Sequence, residues 1–440
     1  MGKFTYIDLF AGCGGLSLGL NQAGLHGIWA IELDEDATAT YRKNVGDHIV
    51  CGDIRHIDTA TVPRPDILVG GFPCQPFSIA GLQHGFSGKD GDLFYQCARF
   101  IENLSPSIFI LENVPGFLQL NKGQFHEEAI RILRSLGYFV EWKILNAADY
   151  GVPQVRERLF IMGNKLGRKN LFPKPTSHRI TAQEAIDDIR LDMGSFINNE
   201  PMRHTERIKH RFASVRPGET ARDAMDRDPS LGNAKITKQC YRRMIPTDPA
   251  PTIVANFVTT TIHYCENRNL TAREAARLQS FPDEFEFQGR KTRMSWQTGL
   301  SQFEQIGNAV PPKIGKVLGE CVIEILKGNT EAVSGVDLSV TKPKQLFLFS
   351  PVETEVATVE TSSPLQFNGT NRGRKSRFAK IYKQIENLQP NSSFRIPDDT
   401  PEEFFTFLKG AMRRRGIEYL LTRNTDGFSS ITVKGNTNEN

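Results

Sequence analysis

Residues 4–20 read FTYIDLFAGCGGLSLGL. Residues 4–10 favour a strand, 11–15 form a glycine-rich turn, and Leu16, Leu18, Leu20 and Leu25 surround a short helix. Residues 27–33 predict the next strand, and 34–45 a helix with acidic residues in its first turn. The alternation continues, with strands expected at 49–51, 66–69, 108–111, 138–145 and 159–162. Such repeats predict an α/β fold: a doubly wound, mostly parallel sheet with right-handed crossovers. Ligands of such sheets bind at the carboxyl ends of the strands, and the informative residues fall there.

The 440 residues hold about two to four domains by size, and their 39% hydrophobic and 24% charged content is that of a soluble globular protein. No apolar run approaches the roughly 18 residues of a membrane span, and Asp8 inside the first apolar segment argues against a signal peptide. Seven cysteines, at 13, 51, 74, 97, 240, 265 and 321, are odd in number and never spaced as CxxC. That predicts a reducing, cytoplasmic setting without a disulfide framework, and the nine histidines show no metal-ligand spacing, so no metal is expected. The net charge of +4 is compatible with a nucleic-acid partner without requiring one.

Four segments carry candidate chemistry. In the turn 8–15 (DLFAGCGG), glycines let a ligand approach the backbone where a Cβ would collide. Glu32, at the end of the second strand, can accept from the two hydroxyls of a ribose, and Asp53, after the third, from an adenine amino group. The turn is not GxGxxG, because Ser17 stands where the last glycine would be; this favours a nucleoside smaller than a dinucleotide, and an ordinary tight turn is the competing reading. In 70–78 (GGFPCQPFS) two prolines bracket Cys74 and fix the direction of a thiol that would serve as nucleophile. Glu112 follows an apolar run at a strand end, where a carboxyl can stay protonated for acid catalysis; a capping or ion-paired surface glutamate is the alternative. Arg156 and Arg158 alternate along a strand, so that both are expected on one face for phosphate or base contacts; a solvated Arg–Glu pair is the bland reading.

In order and spacing these segments resemble the C5-cytosine DNA methyltransferases over roughly residues 3–330. GDI (52–54), GDLFYQ (91–96), ENV (112–114), QVRER (154–158), RNLTAREAARLQSFPDEF (268–285) and QIGNAVPP (305–312) extend the match. The resemblance implies a bacterial modification enzyme of the S-adenosylmethionine-dependent methyltransferase fold. It would methylate carbon 5 of a cytosine flipped out of double-stranded DNA, as a monomer, with a cognate restriction endonuclease that cuts the same site as the implied partner. It implies Cys74, Glu112, Arg156 and Arg158 as catalytic residues. It also implies a cofactor pocket of Phe10, Gly12, Gly14, Glu32, Leu33, Asp53, Ile54, Pro73, Leu93 and Asn308. Two other readings are a tRNA cytosine-5 methyltransferase, whose Cys-Phe-Thr signature is absent from the variable region, and an idle DNA-binding relative, which intact Cys74, Glu112 and Arg158 disfavour.

The family pattern implies a catalytic domain at 1–164, completed by 300–330 through a returning final helix near 313–327. The segment 165–299 would form a target-recognition domain, with Arg203, Lys209, Arg211, Lys235, Lys238, Tyr241, Arg242 and Arg243 among its basic and aromatic residues. Residues 331–364, rich in Thr, Val, Ser and Pro with net charge −3, read as a linker. Residues 365–440 carry net +5 and predict a small α/β module. Its expected strands lie at 393–396, 419–422 and 429–433, around a helix capped at Thr400 and closed by Arg413, Arg414, Arg415 and Gly416. Arg372, Arg374, Lys375 and Arg377 could grip DNA phosphate there; a module that touches a protein or nothing is the competing reading.

Overall fold

The computed structural model describes residues 4–73, 92–191, 194–231, 240–292, 298–333, 393–397, 419–423 and 428–433. Cys74, Lys235, Lys238, Arg372, Arg374, Lys375, Arg377 and the expected helix after Thr400 lie outside them. The chain divides into two compact units, residues 1–350 and 351–440.

The larger unit is built on seven strands: β1 (Thr5–Leu9), β2 (His26–Glu32), β3 (Ile49–Cys51), β4 (Ile67–Gly71), β5 (Ile108–Asn113), β6 (Phe139–Asn146) and β7 (Glu157–Asn164). Their order is β3-β2-β1-β4-β5-β7-β6, so the winding direction reverses between β1 and β4. The pairs β1–β2, β1–β4, β2–β3 and β4–β5 are parallel, whereas β7 runs antiparallel to β5 and β6. The sheet is therefore mostly parallel, closed by one hairpin at its end.

Helices α1 (Gly15–Gln22), α2 (Glu35–Asn44), α3 (Asp92–Leu104) and α4 (Gln124–Ser135) connect the strands. Asp34 caps α2 by accepting from Ala37 N at 2.9 Å, and Glu35–Asp36 at its start and Arg42–Lys43 at its end match the helix dipole. Alternate residues bury opposite faces, as a sheet covered on both sides requires. Ile7, Leu9, Leu68, Phe109 and Leu111 enter one core, and Tyr6, Ile67, Val69, Ile108 and Ile110 the other.

Beyond β7 lie α5 (Ala182–Leu191), α6 (Glu206–Ala213), α7 (Ala221–Arg227), the strand pair β8 (Arg242–Arg243) and β9 (Thr261–Ile262), and α8 (Ala272–Leu278). The chain then returns through α9 (Gln302–Asn308) and α10 (Pro312–Leu326). Helix α10 packs on α1 through glycines: a Cβ at Gly19 would lie 2.1 Å from Pro312 O, and one at Gly315 2.6 Å from Leu16 O. Residues 331–333 stay on this unit, with Lys169 N donating to Glu331 O and Val333 N to Gly167 O, both at 2.9 Å. Among the described residues no helix is long and apolar enough to cross a membrane.

In the smaller unit, β10 (Ser393–Pro397), β11 (Tyr419–Arg423) and β12 (Phe428–Val433) form an antiparallel sheet in the order β10-β12-β11.

Candidate active site

The turn after β1 alternates into left-handed backbone: φ is 60° at Phe10, 54° at Gly12 and 93° at Gly14. A bulky aromatic in that region is uncommon and costs energy, which marks the turn as built for a purpose. A Cβ at Gly14 would lie 2.7 Å from Val45 Cγ2 and 2.9 Å from Tyr41 Cδ2, so only glycine fits. At Gly12 a Cβ would meet nothing within 4 Å, which leaves open space before the turn. Gly12 N donates to Glu32 Oε2 at 2.8 Å, while Glu32 Oε1 accepts from Leu33 N and Asp34 N at 2.9 Å. Burial raises the Glu32 carboxyl above its ordinary value, against the pull of these three bonds.

The other expected pocket residues sit at neighbouring strand ends. Leu33 follows β2 and is 65% exposed; Ile54, after β3, is buried. Pro73 follows β4 and is exposed, half-buried Leu93 opens α3, and exposed Asn308 closes α9. The segment after Asn308 reaches the turn, since a Cβ at Gly15 would lie 2.4 Å from Val310 O. Asp53, the expected acceptor for an adenine amino group, already has a partner within the chain. Its carboxylate takes Arg55 Nε at 2.9 and 3.0 Å and the Arg55 amide at 3.0 Å, and this pairing holds it below the usual carboxylate range.

A second cluster gathers around Glu112, the penultimate residue of β5. Glu112 stands opposite Gly71 of β4 and Phe160 of β7. Its Oε1 lies 3.2 Å from Arg158 Nε, with both side chains only 13–16% exposed. A Cβ at Gly71 would lie 3.1 Å from Glu112 Oε2, so residue 71 must be small for the carboxyl to keep its place. Burial raises the Glu112 carboxyl, and Arg158 and then Arg156 pull it back. The neighbouring Asn113 donates from Nδ2 to Phe72 O at 3.0 Å, tying down the chain that leads through Pro73 to Cys74. The sequence reading missed this tie, although the Asn of the ENV triplet was its visible signal.

Arg156 corrects the expectation that both arginines serve phosphate or base. It lies just before β7 and is 2% exposed. Its Nη1 donates to Ile253 O at 2.8 Å, and Nη2 to Gly307 O and Ala309 O at 2.9 and 3.0 Å. Burial pushes its pKa down to about 9, so it remains charged at neutral pH. Those donors are spent on backbone, and the residue binds the segments around 253 and 308 to the sheet. Gln154 assists, donating to Leu278 O at 3.1 Å and accepting from Ile253 N at 2.9 Å. Arg156→Met should therefore cost stability on the order of 3 kcal/mol, because two buried carbonyls and a half-buried one lose a charged donor. Thermal unfolding checks this; an unchanged midpoint with weakened DNA binding would restore the phosphate-contact role.

Residues 165–299 hold another buried arginine. Arg243, one of the basic residues of that segment, is 5% exposed and donates to Val215 O, His263 O, Glu266 O, Phe212 O and Asn267 Oδ1. Arg211 turns to Leu231 O, Lys209 pairs with Glu206, and Arg242 reaches Gly218 O from an exposed position. No group of three or more metal-ligating side chains occurs among the described residues.

The family model described as C-5 cytosine-specific DNA methylase matches residues 4–324. The Type II methyltransferase M.NgoFVII of Neisseria gonorrhoeae is 36% identical over 360 residues, covering 78% of this chain and 93% of its own. The Type II methyltransferase M.DdeI of Desulfomicrobium norvegicum is 34% identical over 397 residues, covering 79% of this chain and 95% of its own. Among solved structures, a prophage-encoded protein of E. coli described as a DNA modification methyltransferase superposes with a TM-score of 0.58 at 25% identity. It covers 74% of this chain and 100% of its own.

Proposed function

Because the chain belongs to the C-5 cytosine-specific DNA methylases, we propose that it methylates a cytosine flipped from a specific duplex sequence through a covalent adduct at Cys74, protecting host DNA from a cognate endonuclease. It is an S-adenosylmethionine-dependent DNA (cytosine-5-)-methyltransferase of the type II class. The observation that carries the finer reading is the Glu112–Arg158 pair, largely shielded from water beside the tied-down approach to Cys74.

The turn after β1 suits S-adenosylmethionine: open space at Gly12 lets a nucleoside approach the backbone. Glu32, held by three amides, keeps lone-pair capacity for a ribose hydroxyl. Phe10, Gly14, Leu33, Ile54, Pro73, Leu93 and Asn308 would complete the pocket; Asp53 would act through Arg55 or after giving it up. When bound, the cofactor supplies an electrophilic methyl on a sulfonium.

Carbon 5 of cytosine is a poor nucleophile, so the Cys74 thiolate first adds to carbon 6. Glu112, its carboxyl raised by burial, donates to N3 and accepts from the exocyclic amine, stabilising charge as the ring loses aromaticity. Arg158 orients Glu112 and faces the base. With the methyl on carbon 5, a base or water would take the carbon 5 proton and the Cys74–carbon 6 bond would break, returning the thiolate. Flipping costs a few kcal/mol, to be repaid by contacts in the pocket.

Methyl incorporation into duplex DNA but not tRNA is the decisive measurement, and bisulfite sequencing of plasmid from expressing cells reads out the target. Label in tRNA alone would overturn the reading. Glu32→Ala should weaken cofactor binding by about 1–3 kcal/mol, because the ribose loses its acceptor. Titration calorimetry checks this, and an unchanged affinity would move the ribose elsewhere.

A further inference from the structure

Beneath the cofactor turn lies a row of buried polar groups for which the proposed reaction has no use. Asp8, on β1, is 1% exposed, and Ser17 on α1 and Tyr41 on α2 are fully buried. Ser17 Oγ donates to Asp8 Oδ2 at 2.6 Å, and the Tyr41 hydroxyl donates to Ser17 Oγ at 3.1 Å. The Tyr41 oxygen also lies 2.9 Å from Nε2 of His48. His48 is half-buried and precedes β3, so the row runs from the interior to the surface.

These distances admit one complete polarity. Tyr41 spends its proton on Ser17, so the His48 nitrogen must donate to Tyr41, and every donor points toward an ionised Asp8. The opposite polarity is equally complete. A protonated Asp8 donates to Ser17, Ser17 to Tyr41, and Tyr41 to an unprotonated Nε2. Passing between the two breaks the Asp8 O–H bond and hands a proton from hydroxyl to hydroxyl. His48 Nε2 gains a proton and Nδ1 gives one to water. No group except Asp8 ends with a changed charge.

We propose that Asp8, Ser17, Tyr41 and His48 form a proton-carrying chain that couples binding of the cationic methyl donor to release of a proton at the surface. This rests on the assignment of S-adenosylmethionine to the adjoining turn. Asp8 stands two residues before Phe10, and Tyr41 wedges under Gly14, so the chain and the pocket share their walls. The groups facing Asp8 are Glu32 on β2, Tyr6 on its own strand, Ser17 and Tyr41; those facing His48 are Tyr41, His26 and Asp47. Burial and the Glu32 charge lift the Asp8 carboxyl to about 7, against the Ser17 bond, and burial lowers His48 below its ordinary value. A carboxyl raised this far holds its proton in mildly acidic solution. A net positive ligand beside it lowers that pKa, so binding expels the proton and is favoured as pH rises toward neutrality.

The test is titration calorimetry of the full chain with S-adenosylmethionine, run in two buffers of different ionisation enthalpy across pH 6 to 8. Wild type should release a proton on binding below neutrality, and affinity should climb by up to about tenfold per pH unit before levelling off. S-adenosylhomocysteine, which lacks the sulfonium charge, should release much less. Asp8→Asn should abolish the release. Tyr41→Phe keeps the ring under Gly14 but takes a donor from the row that stabilises ionised Asp8; the carboxyl then holds its proton to higher pH, so affinity should fall at mildly acidic pH and recover at higher pH. Release that persists in Asp8→Asn, or equal release with both ligands, would overturn the coupling. If Asp8→Asn fails to fold, a Tyr41→Phe pH profile matching wild type overturns it instead. Absence of any binding at any pH would overturn the functional reading with it, whereas binding without proton release sinks the coupling alone.

Discussion

Cys74→Ser is expected to abolish turnover, by a factor on the order of 10^4 or more, because a hydroxyl is scarcely ionised where a thiol is partly so. The same variant should lose a second property. A duplex with 5-fluorocytosine at the target should trap wild-type enzyme as a covalent complex that survives denaturing electrophoresis, because fluorine cannot leave carbon 5 as a proton does. No such band should form with Cys74→Ser. A band of undiminished intensity would show that some other group attacks carbon 6.

Glu112→Gln keeps the shape of the side chain and removes its acid proton. The rate of methyl transfer should fall on the order of 10^2 to 10^3-fold, with cofactor affinity nearly unchanged. The pH profile should change as well. The Glu112 carboxyl is raised by burial, so wild type keeps its acid form above the ordinary carboxyl range and loses it as pH rises further. The descending limb of the rate should therefore carry Glu112, and it should disappear in the variant. A descending limb that survives in Glu112→Gln would give the acid role to another residue. If calorimetry showed this variant losing cofactor affinity as Glu32→Ala does, Glu112 would belong to the cofactor pocket.

Much of this arrangement was legible because it is local. Apolar runs bounded by turns marked the strands, and 49–51 was read with the bounds the structure has. Asp34 with two acids behind it announced α2, and its side chain does cap that helix. What escaped depends on partners distant along the chain. Alternation along a strand tells which side a residue takes and nothing of how deep it sits. Arg156 looked like the twin of Arg158, yet its acceptors come from residues 253, 307 and 309. The depth of Arg243 was equally hidden, because an arginine among surface charges and one plugging a set of carbonyls are spelled alike. The pairing of Asp53 with Arg55 lay within reach of the sequence, two residues apart, but was not weighed. The antiparallel run of β7 was open to inference: residues 147–156 are too short a connection for the crossover that parallel neighbours need.

The glycine-lined seam between α1 and α10 has a consequence for how the protein comes into being. Leu16 and Leu20 reach the ribosome exit early, but the helix that covers them, Pro312–Leu326, is among the last parts of the larger unit to be made. At about 5–20 residues per second, the interval between the two is roughly 15–60 s. Through that time one flank of the nascent sheet is bare hydrocarbon, a natural client for chaperones. A chain truncated before residue 312 should then be a target for degradation rather than a weaker enzyme, and the first half of the gene expressed alone should yield little soluble protein.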